Sequence, residues 1–445
     1  MNNKNKSKQN TKSYSNHYGE NTASKTEPAK TNNTPPKSLG MQQKMPPVDY
    51  NKPVTLRFNA IDTLFFRESR PMESMGELQS VFPPPVRTLA GAVRSLIGET
   101  LGIQWNEFSE KHPHAAIIGY GEKLGNLRLK GAWLAWEGKR LYPAPLHILK
   151  KDNNFFQLNL AQEGTWCDLG RCVRLPKLPE SKSEKSENDP KGSKPLENTW
   201  LTYEGLVTVL AGNTPTKDQI KNANELFERE SRLGIARDNA TGTVQKSMLY
   251  QTQHIRPKAE LSIELDVTGL AKGYLPNKSM LRLGGEGRSA SVEITSKIAD
   301  LPAGKTAETG IALYLLTPLP INWNIGSGEN WQPLPGFKRV QPDDITPNKD
   351  CKQSEKITTW RGELNGIELE LHGAVVGKAI REGGWDMAAH KPRAVTSLIP
   401  AGSVFFCKIL KGNAQDAIKA LHDKNIGTLT EYGYGHLAVG VWNDQ

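Results

Sequence analysis

Three consecutive prolines, Pro83–Pro85, stand immediately before an apolar stripe at helical spacing, and they fix what can precede and follow them. Proline has no amide hydrogen and cannot sit inside a helix without breaking it, so a helix here can begin only after the run. Leu89, Val93, Leu96, Ile97 and Leu101 place one apolar face on that helix, over residues 87–101. Upstream, Val54, Leu56, Phe58 and Ala60 alternate with Thr55, Arg57 and Asn59, the period of a half-buried strand. Downstream, Leu127, Leu129, Trp133 and Ala135 alternate with Arg128 and Lys130. A turn at Glu137-Gly138-Lys139 then returns the chain to Leu141 and Tyr142. Strand, helix and hairpin open a ferredoxin-like unit.

The second half reads similarly. Leu261, Ile263, Leu265 and Val267 alternate with polar residues, and strands are expected over 311–316, 367–371 and 404–410. Asn413 with Asp416 caps a helix carrying Ala414, Ala417, Ile418 and Leu421, which ends before Gly427. The turn Gly433-Tyr434-Gly435 leads to a last strand with Leu437, Val439 and Val441 on one face. The expected fold class is therefore α+β. It comprises two ferredoxin-like (RRM-like) domains, at 51–250 and 251–445, with glycine-rich loops and long polar insertions.

Composition marks the remainder. Residues 1–50 hold eight lysines and three acids, half of the chain's net charge of +10, and almost no large apolar side chains. Such a segment cannot bury enough surface to order itself, so it is expected to be a disordered basic tail. The mixed-charge stretch 180–199 reads as a solvated insertion in the first domain, and 341–354 as a further loop. Four cysteines are too few for a disulfide framework at 445 residues, and Cys167 with Cys172 has no second pair at zinc spacing. No metal or cofactor is expected. The N-terminus lacks the apolar core of a signal peptide, and no run suits a membrane span, so the expected location is the cytoplasm.

Three glycine-rich turns can carry chemistry: Gly284-Gly285-Glu286-Gly287-Arg288, Gly383-Gly384-Trp385 and Gly433-Tyr434-Gly435-His436. Glycines let a backbone approach a sugar-phosphate chain closely, while a neighbouring Arg or aromatic pairs with phosphate or stacks on a base. Lys378, Arg381, Lys391 and Arg393 flank the second turn. On the first helix, Arg87 and Arg94 are seven residues apart and share a face opposite Leu89 and Leu96. That makes them either a phosphate seat near the helix N-terminus or a solvated face. The stretch Ala299–Thr306 loosely fits a phosphate loop, but Pro302 interrupts it and no helix develops after Lys305.

The stretch from Asp62-Thr-Leu-Phe-Phe-Arg67 through Arg70-Pro71, with Val81-Phe-Pro-Pro-Pro-Val-Arg87-Thr-Leu-Ala-Gly-Ala-Val-Arg94, resembles the N-terminal signature of the RAMP superfamily. Within it, the chain is similar to the third RAMP subunits of the type III-B CRISPR effector, the Cmr complex. Supporting motifs are Leu129-Lys130-Gly131, Tyr142-Pro-Ala-Pro145, Glu230-Ser-Arg232-Leu-Gly234-Ile235, Leu283-Gly-Gly-Glu-Gly-Arg288, Gly383-Gly-Trp385-Asp386 and Pro400-Ala-Gly402-Ser403. They run in order from about residue 54 to the C-terminus.

The resemblance implies a non-catalytic subunit in antiviral defence. It would bind the 5′ tag of the CRISPR guide RNA and bridge the large polymerase-like subunit to the backbone RAMP subunits. The resemblance favours Arg87, Thr88, Arg94, Gly284, Gly285, Gly287, Arg288, Gly433, Tyr434 and Gly435 as guide contacts, and Arg67, Arg70, Lys130, Lys378 and Arg381 are expected RNA contacts beside them. Residues 234–247, with Arg237 and Lys246, resemble a hairpin that family members press against the guide. Two alternatives compete: a metal-independent endoribonuclease processing guide RNA, with His436 as its acid–base candidate, and a protein scaffold whose basic loops meet acidic partners.

Overall fold

The computed structural model describes residues 53–444 apart from 70–76, 168–170, 181–188, 238–239, 272, 277, 296–298, 308–309, 323–330, 341–350 and 352–356. The expected basic tail and the centre of the 180–199 insertion lie outside the described residues. The insertion's C-terminal part is described and pairs Lys194–Pro195 with Leu149 and Lys150.

In chain order the elements that matter are β1 (Val54–Ala60), α1 (Val86–Thr100), β2 (Arg128–Trp136), β3 (Lys139–Pro143), β4 (Thr199–Leu201), α2 (Tyr203–Leu210) and β5 (Ile220–Asn222). Next come β6 (Phe227–Arg237), β7 (Val244–Pro257), β8 (Leu261–Thr268), β9 (Lys278–Arg282) and β10 (Ser289–Thr295). The last are β11 (Gly310–Leu315), β12 (Lys338–Val340), β13 (Thr359–Leu364), β14 (Ile367–Val375), β15 (Val404–Lys411), α3 (Ala414–Leu421) and β16 (Leu437–Val441).

Two antiparallel sheets organise them. The 8-stranded sheet runs β5-β4-β3-β2-β8-β1-β10-β9, and the 6-stranded sheet β12-β13-β14-β15-β11-β16. In the first, β1 and β2 are joined through α1 and flank β8, which is antiparallel to both. In the second, β15 and β16 are joined through α3 and flank β11 in the same way. Each sheet thus contains one helical crossover over a single strand, near the start of the chain in one and at its end in the other.

The elements form where side-chain periodicity predicts them. Leu89, Val93, Leu96 and Ile97 turn α1 onto Leu56, Phe58, Leu265 and Val267 in one core. Ile311, Leu313, Leu369 and Phe405 meet Ala417 and Leu421 of α3 in another. Asn413 caps α3 as expected, its side chain accepting the Asp416 amide at 2.9 Å.

The two sheets part between Thr295 and Gly310, not at 250/251. Leu261–Thr268 is a central strand of the first sheet, which takes in residues up to Thr295, and the second sheet begins at Gly310. A third core joins the sheets, with Trp133, Tyr142, Leu201 and Leu206 packing among Ala312, Tyr314, Phe406 and Ala438. Residues 48–445 accordingly form one compact unit. Alternation in Leu261–Val267 suits either sheet, and buried charge chooses between them. Arg140 of β3 donates to Glu264 Oε2 at 3.1 Å and to Asp266 Oδ1 at 2.7 Å. Arg57 and Thr55 of β1 reach the same two carboxylates at 2.8 and 2.6 Å. Arg57 and Arg140, each more than a hundred residues from Glu264 and Asp266, neutralise that pair of carboxylates in this strand order.

Cys172 is disulfide-bonded to Cys351, joining residues 179 apart. Residues 299–307 form no helix or strand, and Lys305 donates its amide to Val439 O at 3.0 Å before β11 begins. A phosphate loop needs a helix at that point.

Candidate nucleic-acid interface

Residues 62–69 form a connecting seam. Phe65 O accepts the Gly285 amide at 2.8 Å, and the Ser69 hydroxyl accepts the Gly383 amide at 2.7 Å. The first and second glycine turns are therefore strung along one segment. Glu382, beside the second turn, accepts the Tyr434 hydroxyl of the third. The three turns belong to one continuous region of the surface and its floor.

The third turn is floor. Gly433, Tyr434 and Gly435, expected as RNA contacts, are buried. Gly433 has φ 86°, and a Cβ there would lie 2.7 Å from Leu129 O, so packing against β2 demands glycine. The Thr317 hydroxyl donates to Gly433 O at 2.7 Å. His436 is likewise buried, its Nε2 2.8 Å from Asp423 Oδ1, and burial pushes its pKa down to about 4. Lys130 Nζ meets the same Asp423 oxygen at 2.5 Å. Burial raises the Asp423 carboxyl, but His436 and Lys130 outweigh it and hold the group well below the carboxylate range. The imidazole does not reach solvent, whatever this constellation suggests chemically.

Arg87 and Arg94 do share a face of α1, but that face is turned inward. Arg87 Nη1 lies 3.1 Å from Glu122 Oε1, its Nε lies 3.3 Å from Glu382 Oε1, and its guanidinium lies over the Tyr432 ring at 5.3 Å. Arg94 Nη1 donates to Gly121 O at 3.0 Å. Thr88 is half-buried and its amide donates to Pro85 O at 2.9 Å. Arg393, from the loop after the second turn, reaches Glu122 Oε1 with its Nη1 at 2.6 Å. None of these acids was visible as a partner in the sequence, since each lies tens to hundreds of residues from its arginine.

A second cluster surrounds the first turn. Arg288 Nη1 and Arg232 Nη2 each lie 3.1 Å from Asp62 Oδ2, and Arg256 Nη1 lies 3.0 Å from Oδ1. Glu230 pairs with Arg232 and Arg256 at 2.7 and 2.6 Å. Hydrogen bonding to Arg232 leads the causes that pull the Asp62 carboxyl down to about 2. Three guanidiniums face the carboxylates of Asp62 and Glu230 beside the exposed turn of Gly284, Gly285, Glu286 and Gly287.

Lys378, Arg381 and Lys391 are exposed around the second turn, together with Trp385, 55% exposed, and Met387, 73% exposed. Arg67 is exposed on the connecting segment. Arg70 lies outside the described residues. The backbones of Arg237 and Lys246 lie on the β6–β7 hairpin. Among the described residues no group of three or more His, Cys, Asp or Glu is arranged to hold a metal, and no helix is long and apolar enough to cross a membrane.

The family model for CRISPR-associated protein (Cas_Cmr3) matches residues 56–442. No curated protein matches the chain. Among solved structures, two type III-B Cmr-beta assemblies, described as bound to cognate target RNA, contain similar chains. One, determined with AMPPnP, is 16% identical over 80% of this chain and 86% of that one, with a TM-score of 0.39. The other is 14% identical over 86% and 96%, with a TM-score of 0.41. A chain of the Csm3-Csm4 subcomplex of a type III-A interference complex is 11% identical over 81% and 93%, with a TM-score of 0.33.

Proposed function

The chain belongs to the Cas_Cmr3 family of CRISPR-associated proteins, and from that premise we propose that it is the non-catalytic subunit that binds the 5′ tag of the guide RNA. In this reading it also bridges the large polymerase-like subunit to the backbone RAMP subunits of a type III-B effector. We read its two sheets as ferredoxin-like modules that each keep one of two helical crossovers, β1-α1-β2 in the first and β15-α3-β16 in the second.

The observation that carries the proposal is the exposed group at the second glycine turn. Lys391 pairs across from Asp386 beside a Trp385 that is 55% exposed, Lys378 and Arg381 are exposed on the stretch leading into the turn, and the turn's backbone is tied to the connecting segment through Ser69. Binding of unpaired RNA needs cations for phosphates and a flat apolar surface for bases, and this turn offers both. Burial of His436 supports the non-catalytic part, because an acid–base group must reach the phosphate it acts on.

The test is guide retention by the assembled complex carrying Lys378→Ala, Arg381→Ala and Lys391→Ala together. Retention should fall, and the salt dependence of binding should become shallower by about 0.7 in the log–log slope for each phosphate contact removed. An unchanged slope would show that these cations meet protein or water instead.

A further inference from the structure

We propose that Glu122 is a carboxylate plug in a phosphate seat formed by Arg87 and Arg393, and that a backbone phosphate of single-stranded RNA displaces it. The inference rests on the RNA-binding reading above and goes beyond it in naming the seat and its occupant in the free chain.

The geometry is convergent. Arg87 Nη1 and Arg393 Nη1 come from opposite ends of the chain and point at one oxygen, Glu122 Oε1, at 3.1 and 2.6 Å. Two guanidiniums aimed at a single anionic oxygen can equally receive a phosphodiester oxygen, since a phosphodiester, like a carboxylate, spreads one negative charge over two terminal oxygens. The arginines are well placed to stay when the carboxylate leaves. Arg87 keeps Glu382 on its Nε and the Tyr432 ring against its plane, while Arg393 keeps the Trp385 carbonyl on its Nε at 3.4 Å. Their side chains are 18% and 17% exposed.

Glu122 differs from them, for its side chain is 58% exposed. Its backbone is nonetheless fixed: the Tyr432 hydroxyl donates to Glu122 O at 2.8 Å, and Arg94 holds the preceding carbonyl, Gly121 O. Displacement therefore needs only a rotation of one exposed side chain into water, with no loop movement. The Glu122 carboxylate is the exposed partner and regains water on leaving, so a phosphate can compete with it for the two guanidiniums. The seat also lies beside the first turn of α1, which has no capping side chain and no acid, so the helix dipole adds to the local positive potential. Glu382 does not share this role, being deep beneath Arg87 and bonded to Tyr434.

The experiment measures binding of a labelled single-stranded RNA to the full-length chain over a salt series, for wild type, Glu122→Gln, Arg393→Ala and the double variant. Glu122→Gln should bind about two- to fivefold tighter at low salt, the gain shrinking as salt rises. Arg393→Ala should bind more weakly with a slope shallower by about 0.7, and the double variant should lose the gain. Glu122→Asp, which keeps the charge, should remain close to wild type and so separates charge from folding. Salt-sensitive binding by wild type with no tightening in Glu122→Gln overturns the plug and leaves the RNA reading standing. Absence of salt-sensitive binding by wild type overturns both.

Discussion

Replacing Arg140 by Met should destabilise the protein severely, and neutralising its two partners in the same chain should reverse most of the loss. Arg140 sits on β3 with its side chain 4% exposed, against Glu264 and Asp266 at 5% each. Its guanidinium makes four hydrogen bonds to those carboxylates, at 2.7, 2.8, 3.1 and 3.2 Å. Without it, Arg57 and Thr55 alone face two buried anions. Removing one partner from a buried ion pair costs about 3–5 kcal/mol, because the remaining charge has neither water nor counter-ion. A compact unit spanning residues 48–445 unfolds with an entropy of about 0.8 kcal/mol per kelvin, at about 2.1 cal/mol/K per residue. The melting temperature should therefore fall by about 4–6 °C, read by scanning calorimetry at neutral pH. Arg140→Met combined with Glu264→Gln and Asp266→Asn leaves only Arg57 without a carboxylate, and that side chain is 30% exposed and keeps contact with water, so the triple variant should recover most of that drop. If the single variant melts within a degree of wild type, or the triple is no better than the single, the electrostatic account of strand order is refuted.

Other outcomes follow from the same contacts. His147 is buried between Tyr314 and Phe406, with ring centroids at 5.5 and 5.9 Å, and burial pushes its pKa down to about 3. The unfolded chain binds a proton that the native state refuses between pH about 6.5 and 3, so stability is full above that window and declines as pH falls through it. About 2 kcal/mol should be lost by pH 5, and His147→Phe should flatten the fall in melting temperature between pH 7.5 and 5. Reducing Cys172–Cys351, or Cys351→Ser, should cost about 2–4 kcal/mol by releasing a constraint on the unfolded chain. An unchanged melting temperature, with thiol titration proving reduction, would contradict this. Gly433→Ala should cost at least about 1–2 kcal/mol, since its left-handed backbone disfavours a Cβ and Leu129 O stands in the way. A full melting-temperature match to wild type would exclude it.

Elements were legible in the sequence because their information is local. The proline run and the stripe from Leu89 to Ile97 set α1, the Asn413 cap set α3, and alternation set β1, β2, β8 and β16. The hairpin carrying residues 234–247 and the family itself were also readable, from motifs that stand in order along the chain. Tertiary structure alone decided strand order, and with it the joining of two expected domains into one unit. The partners that settle it, Arg57, Arg140, Glu264 and Asp266, are separated by up to hundreds of residues.

The same distance hid the state of the candidate contacts. Sequence placed Arg87 beside Arg94 and Tyr434 between glycines, whereas folding brought Glu122, Glu382 and Arg393 to the first pair and buried the second. Periodicity reports which face a side chain takes on its own element. Whether that face meets water or a carboxylate depends on what else the chain folds against it.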